Sequence, residues 1–135
     1  MTPKDAGSIP ASSTITFNGR MAVTVDDVRA VALSLPRAYE ALVRDRIKFR
    51  VGQLVFVAFS RDETVMGFGF PREERSALVE SDPDKFLLPP QSDMRYQWVC
   101  AHMEALSLDE MREFVIDAWR MCVPKRVAAS LDADP

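Results

Sequence analysis

The first regular pattern in the chain is helical and lies between Thr24 and Pro36. Thr24 is a favourable N-cap residue, and two aspartates follow it in the first turn, where the helix dipole favours negative charge. Apolar side chains recur with the helical period at Val25, Val28, Val31, Ala32 and Leu35. Because a proline disfavours helix at the residue before it, the pattern predicts one amphipathic helix that ends near Leu35.

Three strands are predicted next, in quick succession. Residues 46–51 alternate basic and apolar side chains, and residues 54–59 are almost continuously apolar. In residues 65–70 large apolar side chains alternate with two glycines, which leave room for a bulky neighbour on that face. The connections are too short for crossovers, so we expect an antiparallel meander. The segment before the strands, residues 37–45, is interpreted as a charged connector.

The second half of the chain predicts a short helix, a fourth strand and a well-marked final helix. Residues 72–81 carry the pattern of the short helix. Residues 95–103 predict a strand, with one face carrying Tyr96, Trp98, Cys100 and His102. Ser107 and Glu110 form a capping box before an apolar stripe, and Pro124 is expected to bend or restart that helix.

This order of elements predicts an α+β fold. We expect a two-layer sandwich in which an antiparallel sheet carries its helices on one face. The single domain is expected to span residues 21–129. Residues 1–20 are rich in Ser, Thr, Gly and Pro and are predicted to be a disordered extension, with Met21 a candidate for the actual start. Residues 130–135 are predicted to form a C-terminal tail.

Length and composition agree with one folded domain. The chain has 135 residues, of which 47% are hydrophobic and 27% charged, and this balance favours a packed core over disorder. The longest apolar run, residues 54–59, is far shorter than the ~20 residues of a membrane span. The N-terminus carries no apolar stretch of a secretory signal, so we expect a cytoplasmic protein with no membrane partner.

Residues suited to catalysis or metal binding are sparse. The two cysteines, Cys100 and Cys122, are too far apart for a redox or zinc motif, and both lie in apolar patterns. His102 is the single histidine, and no third catalytic partner accompanies it and Cys100. No glycine-rich phosphate-binding motif is present. The sequence therefore predicts a non-enzymatic protein without a metal site or cofactor.

One strand concentrates positive charge, although the whole chain has a net charge of -3. Residues 37–50 contain five basic and two acidic side chains, which gives a local charge of +3. Arg46, Lys48 and Arg50 share one strand face at intervals of roughly 6–7 Å, similar to the spacing of phosphates along a nucleic-acid strand. The residues predicted to bind DNA are Arg44, Arg46, Lys48, Arg50, Lys125 and Arg126.

Two partner classes stay open. Tyr96 and Trp98 would stack single-stranded bases if they share the basic face, which favours DNA. Against DNA, basic side chains are ordinary on the wet face of a sheet, and residues 104–117 hold five acids against one arginine. The alternative is a protein or peptide interaction module without nucleic-acid activity, in which an extended peptide adds a strand to the sheet edge.

Several short motifs also occur in a specific order over about residues 23–129. They are Leu33-Ser34-Leu35-Pro36, Ile47–Gly52 with Phe56, Asp82-Pro83 with Phe86, Trp98-Val99, Ala118-Trp119 and Pro124-Lys125-Arg126. In this order the chain resembles the MmcQ/YjbR-like family of small bacterial proteins. The resemblance implies a compact α+β fold, related to secretion-chaperone-like and frataxin-like architectures, and a DNA-binding label that members commonly carry.

Overall fold

The computed structural model describes residues 16–17, 20–21 and 23–133 of the chain. Most of the predicted N-terminal extension therefore lies outside the described residues. Where the predicted extension meets the predicted domain, Thr16–Phe17 (β1) pairs antiparallel with Arg20–Met21 (β2) as a separate two-stranded sheet. After this small sheet, the backbone N–H of Val23 donates to the carbonyl of Met103, which connects the start of the domain to the residue that follows its last strand.

The first predicted helix forms at Val25–Ala32 (α1). Thr24 is its N-cap, and a reciprocal capping box joins the side chains and backbone of Thr24 and Asp27. Its buried residues, Val25, Val28 and Ala32, belong to the predicted apolar stripe. The helix therefore packs through the face that the spacing indicates.

A six-stranded antiparallel sheet forms the second layer. Its strands are Ala38–Val43 (β3), Arg46–Val51 (β4), Leu54–Phe59 (β5), Val65–Gly69 (β6), Phe86–Leu87 (β7) and Trp98–His102 (β8). They lie in the order β3-β4-β5-β6-β8-β7, and each pair of neighbouring strands is antiparallel. The predicted meander is confirmed. The interpretation of residues 37–45 as a connector was wrong, because most of that segment is the edge strand β3.

Tight turns set the register of the first three strands. Val43 pairs with Arg46, so Arg44 and Asp45 are the whole loop, and their φ angles of 53° and 65° are those of a type I′ hairpin turn. Gly52, with φ 59°, opens the two-residue loop between β4 and β5. In β5, Phe56 is left without a partner between two registered pairs and forms a bulge, which lets Phe56 and Val57 both be buried.

The described residues form three further α-helices, Arg75–Ser81 (α2), Leu108–Arg120 (α3) and Lys125–Ala133 (α4). Ser107 and Glu110 form the predicted capping box of α3. Pro124 separates α3 from α4, so the chain restarts a helix there, as predicted. This helix continues through residues 130–133, the first part of the predicted tail.

The core lies between one face of the sheet, here the inner face, and the helices α1 and α3. Phe114 of α3 packs against Phe68, Phe70 and Phe86, with ring centroids 4.9 to 6.3 Å apart. Trp119 is fully buried, and its indole N–H donates to the carbonyl of Pro36 at 2.8 Å. The structure is therefore the expected α+β sandwich. No helix in the described ranges has the length and apolar content to span a bilayer.

Candidate nucleic-acid interface

Strand β4 carries the predicted basic residues on the side of the sheet away from the core, here the outer face. Phe49 is fully buried in the core, and Ile47 and Val51, two positions before and after it, are partly buried against that core. Successive side chains of a strand point to opposite faces, so Arg46, Lys48 and Arg50 lie together on the outer face. We call these three residues the basic stripe.

No carboxylate of the described residues pairs with the basic stripe. Arg46 donates from Nε to the carbonyl of Phe59 at 3.1 Å, so its side chain lies over the neighbouring strand β5. The Nε of Arg50 is buried and has no hydrogen-bond acceptor. The cations are therefore held near one another by the strand without being neutralised by acids.

The acid of the neighbouring strand β3 points away from the basic stripe. Glu40 pairs with Phe49 in the ladder and so lies on the inner face. There it accepts from Arg29 of α1, at 2.8 Å between Nε and Oε1, and this bond holds the pKa of the Glu40 carboxyl below its usual value. The outer-face neighbours of the stripe on β3 are instead Tyr39, Ala41 and Val43.

The other predicted basic residues occupy two different places. Arg44 is exposed in the β3–β4 turn, beside the end of the basic stripe. Lys125 and Arg126 are exposed in the first turn of α4. This helix packs against the core through Val127, Ala128 and Leu131 and so belongs to the helical layer. The structure thus brings four of the six predicted residues together and separates Lys125 and Arg126 from them.

Two aromatic residues share the outer face with the basic stripe, but they are not the pair expected. Trp98 lies there, and a Cβ atom at Gly67 would be 2.6 Å from its Nε1, so the ring occupies the space left by the glycine. Tyr96 precedes β8 and instead contacts Arg95. Tyr39, which the sequence placed in a connector, pairs with Arg50, and its hydroxyl donates to the carbonyl of Gly52 at 2.6 Å. No local pattern indicated this position, because the conformation of β3 is set by its pairing with β4.

Cys100 and His102 also lie on the outer face, as predicted. Burial raises the pKa of the Cys100 thiol to about 11; the charge of Asp93 adds to this rise and that of Arg46 opposes it. At neutral pH the thiol is therefore protonated and a poor nucleophile. His102 borders an open cleft of about 580 Å³, together with the acidic residues Asp62, Glu63 and Glu104. No three His, Cys, Asp or Glu residues in the described ranges are grouped to hold a metal ion.

Comparison with known proteins agrees with this architecture. The crystal structure of the Deinococcus radiodurans protein DR2400, described as a DUF419 domain, is similar to this chain with a TM-score of 0.67. The two are 18% identical over 82% of this chain and 89% of that one, which concerns the fold alone. No curated protein matches the chain. The sequence model of the YjbR family matches residues 33–121, which confirms the resemblance seen in the motifs. The chain therefore belongs to the YjbR family.

Proposed function

We propose that this YjbR-family protein binds DNA non-enzymatically through the outer face of its sheet. The observation that supports the proposal is the basic stripe, in which three cations follow one strand without a carboxylate partner among the described residues. Their alternation along β4 gives intervals of roughly 6–7 Å, at which lysine and arginine can displace counterions from successive phosphates. The protonated state of Cys100 at neutral pH supports a non-enzymatic role for this face.

The dependence of DNA affinity on salt tests the proposal. We expect the Arg46→Ala/Lys48→Ala/Arg50→Ala variant to bind more weakly and to flatten the slope of log K against log salt by roughly two to three units, because each lost phosphate contact removes about one released counterion. The measurement is fluorescence anisotropy with a labelled oligonucleotide between about 20 and 200 mM salt, a range in which such contacts are strongly screened.

A charge-matched control separates the stripe from net charge. The Arg112→Ala/Lys125→Ala/Arg126→Ala variant also loses three cations, but all three are exposed on α3 and α4 in the helical layer. We expect its salt slope to equal that of the wild-type protein. Equal slopes for both triple variants, or no binding by the wild-type protein at low salt, would refute the proposal. Circular dichroism of each variant verifies that it is folded.

A second candidate function, binding of an extended peptide, is favoured by one observation. Strand β3 lies at the edge of the described sheet, and Leu42 on it is 70% exposed. An edge strand offers unpaired backbone groups to which a peptide can add as a further strand. Such binding depends on backbone hydrogen bonds and tolerates salt, so a steep salt dependence distinguishes DNA from this candidate.

A further inference from the structure

Trp98 covers the middle of the outer face. Three consecutive ring atoms, Nε1, Cε2 and Cζ2, lie 2.6, 2.9 and 2.9 Å from the position of a Cβ atom at Gly67. The indole therefore lies across the glycine, and only a residue without a side chain leaves that space. Trp98 is half-buried, and its indole N–H donates to no acceptor in the described ranges. One side of a large aromatic ring is thus packed on the strand while part of it is open to solvent.

A buried arginine fixes the backbone that carries this indole. Arg75 is only 6% exposed, and its Nη1 donates to the carbonyls of Trp98 and Tyr96 at 3.0 and 3.1 Å. Its Nη2 donates to the carbonyl of Met94 at 2.9 Å. Because the segment before and at Trp98 is held in place, a ligand that stacks on the ring does not have to order it first.

The sheet register places the ring in the same row as the centre of the basic stripe. Lys48 pairs with Ala58, and Ala58 pairs with Gly67, beneath the indole. Adjacent strands are about 4.8 Å apart, so the ring lies roughly 10 Å from the Lys48 backbone across the sheet. Ala58 lies between Lys48 and the indole, and its side chain is only a methyl group, so it does not block the space between them. A phosphate on Lys48 would therefore direct its attached base across Ala58 towards Trp98.

We infer that the ligand of this face is single-stranded DNA, with its phosphates along the basic stripe and an unpaired base stacked on Trp98. The inference rests on the proposed function and specifies its substrate class. The bases of a duplex are already stacked on one another and cannot lie on the ring, whereas every unpaired base has a free π-face. The binding is expected to tolerate differences in base sequence, since stacking reads no hydrogen-bond pattern.

An abasic oligonucleotide separates the base contribution from the phosphate contribution. We expect the protein to bind dT12 about 5- to 150-fold more tightly than a twelve-residue abasic backbone, because stacking on an aromatic ring contributes about 1–3 kcal/mol per base and each 1.4 kcal/mol is about tenfold in affinity. Trp98→Ala should remove this difference and leave the affinity for the abasic strand unchanged. Binding of dT12 should also quench the fluorescence of Trp98, whereas the fully buried Trp119 gives a constant background.

A second variant keeps the test informative if Trp98→Ala is poorly folded. Gly67→Ala retains Trp98 but places a methyl group where the indole lies, so the ring must move. We expect this variant to lose affinity for dT12 and not for the abasic strand. Equal affinity of the wild-type protein for both oligonucleotides would overturn the inference and leave the proposed function intact. Absence of binding to dT12, the abasic strand and a duplex at low salt would instead overturn the proposed function itself.

Discussion

At the scale of single residues, two polar side chains of this domain are buried for structural reasons that the sequence pattern hides. Arg75 opens α2, where an exposed cation is ordinary, but its guanidinium is buried and donates to three carbonyls between Met94 and Trp98. Lys85 is also buried, and its ammonium donates to Glu110 at 2.6 Å and lies 5.8 Å from the Phe86 ring centroid. In both residues the buried charge is stabilised by hydrogen bonds to groups that are distant in the sequence.

Cys100 gives a prediction at this scale. Because burial raises its pKa to about 11, its thiolate is scarce at neutral pH, and we expect alkylation by iodoacetamide at pH 7.5 to be at least about 100-fold slower than that of an unhindered cysteine. The rate should rise about tenfold per pH unit up to pH 9.5, since only the thiolate reacts. Mass spectrometry of a Cys122→Ser variant isolates the site, and urea should restore ordinary reactivity. Rapid alkylation of the folded protein at pH 7.5 would contradict the prediction and reopen a catalytic role.

At the scale of elements, local signals predicted α1, α3, β4, β5 and β6, whereas β3 escaped them. The helices begin at capping boxes, and β4 alternates strictly, so their patterns are contained within a few residues. Strand β3 has apolar residues on both faces and a glutamate on the inner one, and its turn uses Arg44 and Asp45 instead of the usual Asn-Gly. Its conformation is imposed by pairing with β4, which no local pattern reports.

The candidate site likewise combines one feature that the sequence predicted with one that it did not. The basic stripe is visible in the alternation of β4, because its three cations lie at every second position of the strand. The packing of Trp98 on Gly67 was not predictable in detail, since it depends on the register between β6 and β8, two strands with 28 residues between them in the chain. The glycine itself indicated only that a bulky neighbour could approach.

The start of α3 gives a prediction about pH. Partial burial acts to raise the pKa of Glu110, but hydrogen bonds from Lys85 and Ser107 outweigh it and hold the pKa below its usual value. A carboxyl with a lowered folded-state pKa stabilises the fold above its unfolded pKa and loses that contribution as the pH falls through the folded value. We therefore expect Glu110→Gln to lower the free energy of unfolding by about 1–2 kcal/mol at pH 7, because the buried Lys85 loses its charged partner.

Measurements at low pH test whether the Glu110 carboxylate is the group that stabilises the fold. As the pH falls through the lowered pKa of Glu110, the wild-type carboxyl becomes protonated, so the stabilities of the wild-type protein and Glu110→Gln should converge. Glu113→Gln is the matched control, since Glu113 is exposed on the same helix, and it should stay within about 0.5 kcal/mol of the wild type. Urea unfolding at pH 3 to 7 measures all three. A difference between wild type and Glu110→Gln that does not shrink as the pH falls from 7 to 3 would exclude the ion pair as its cause.

At the scale of the whole molecule, the distribution of charge matters more than the net charge of -3. The acidic residues of α3, including Glu113 and Asp117, are exposed on the helical layer, whereas the basic stripe is on the outer face of the sheet. A helix with its side chains is about 10–12 Å thick, so these acids lie farther from the stripe than the Debye length of about 8 Å at physiological salt. The acidic helix, which from the sequence counted against DNA binding, is screened from a ligand on the other side.

This separation leads to a prediction that contrasts two added charges. Glu113→Lys raises the net charge by two on the helical layer, and Ala41→Lys raises it by one beside Lys48 on the outer face. At about 150 mM salt we expect Glu113→Lys to change DNA affinity less than about twofold and Ala41→Lys to raise it by about threefold or more, because only the latter adds a phosphate contact. At about 10 mM salt, where the Debye length reaches about 30 Å, Glu113→Lys should also strengthen binding. If Glu113→Lys had the larger effect at 150 mM salt, DNA would be responding to net charge or to the helical layer, and the outer face would lose its assignment.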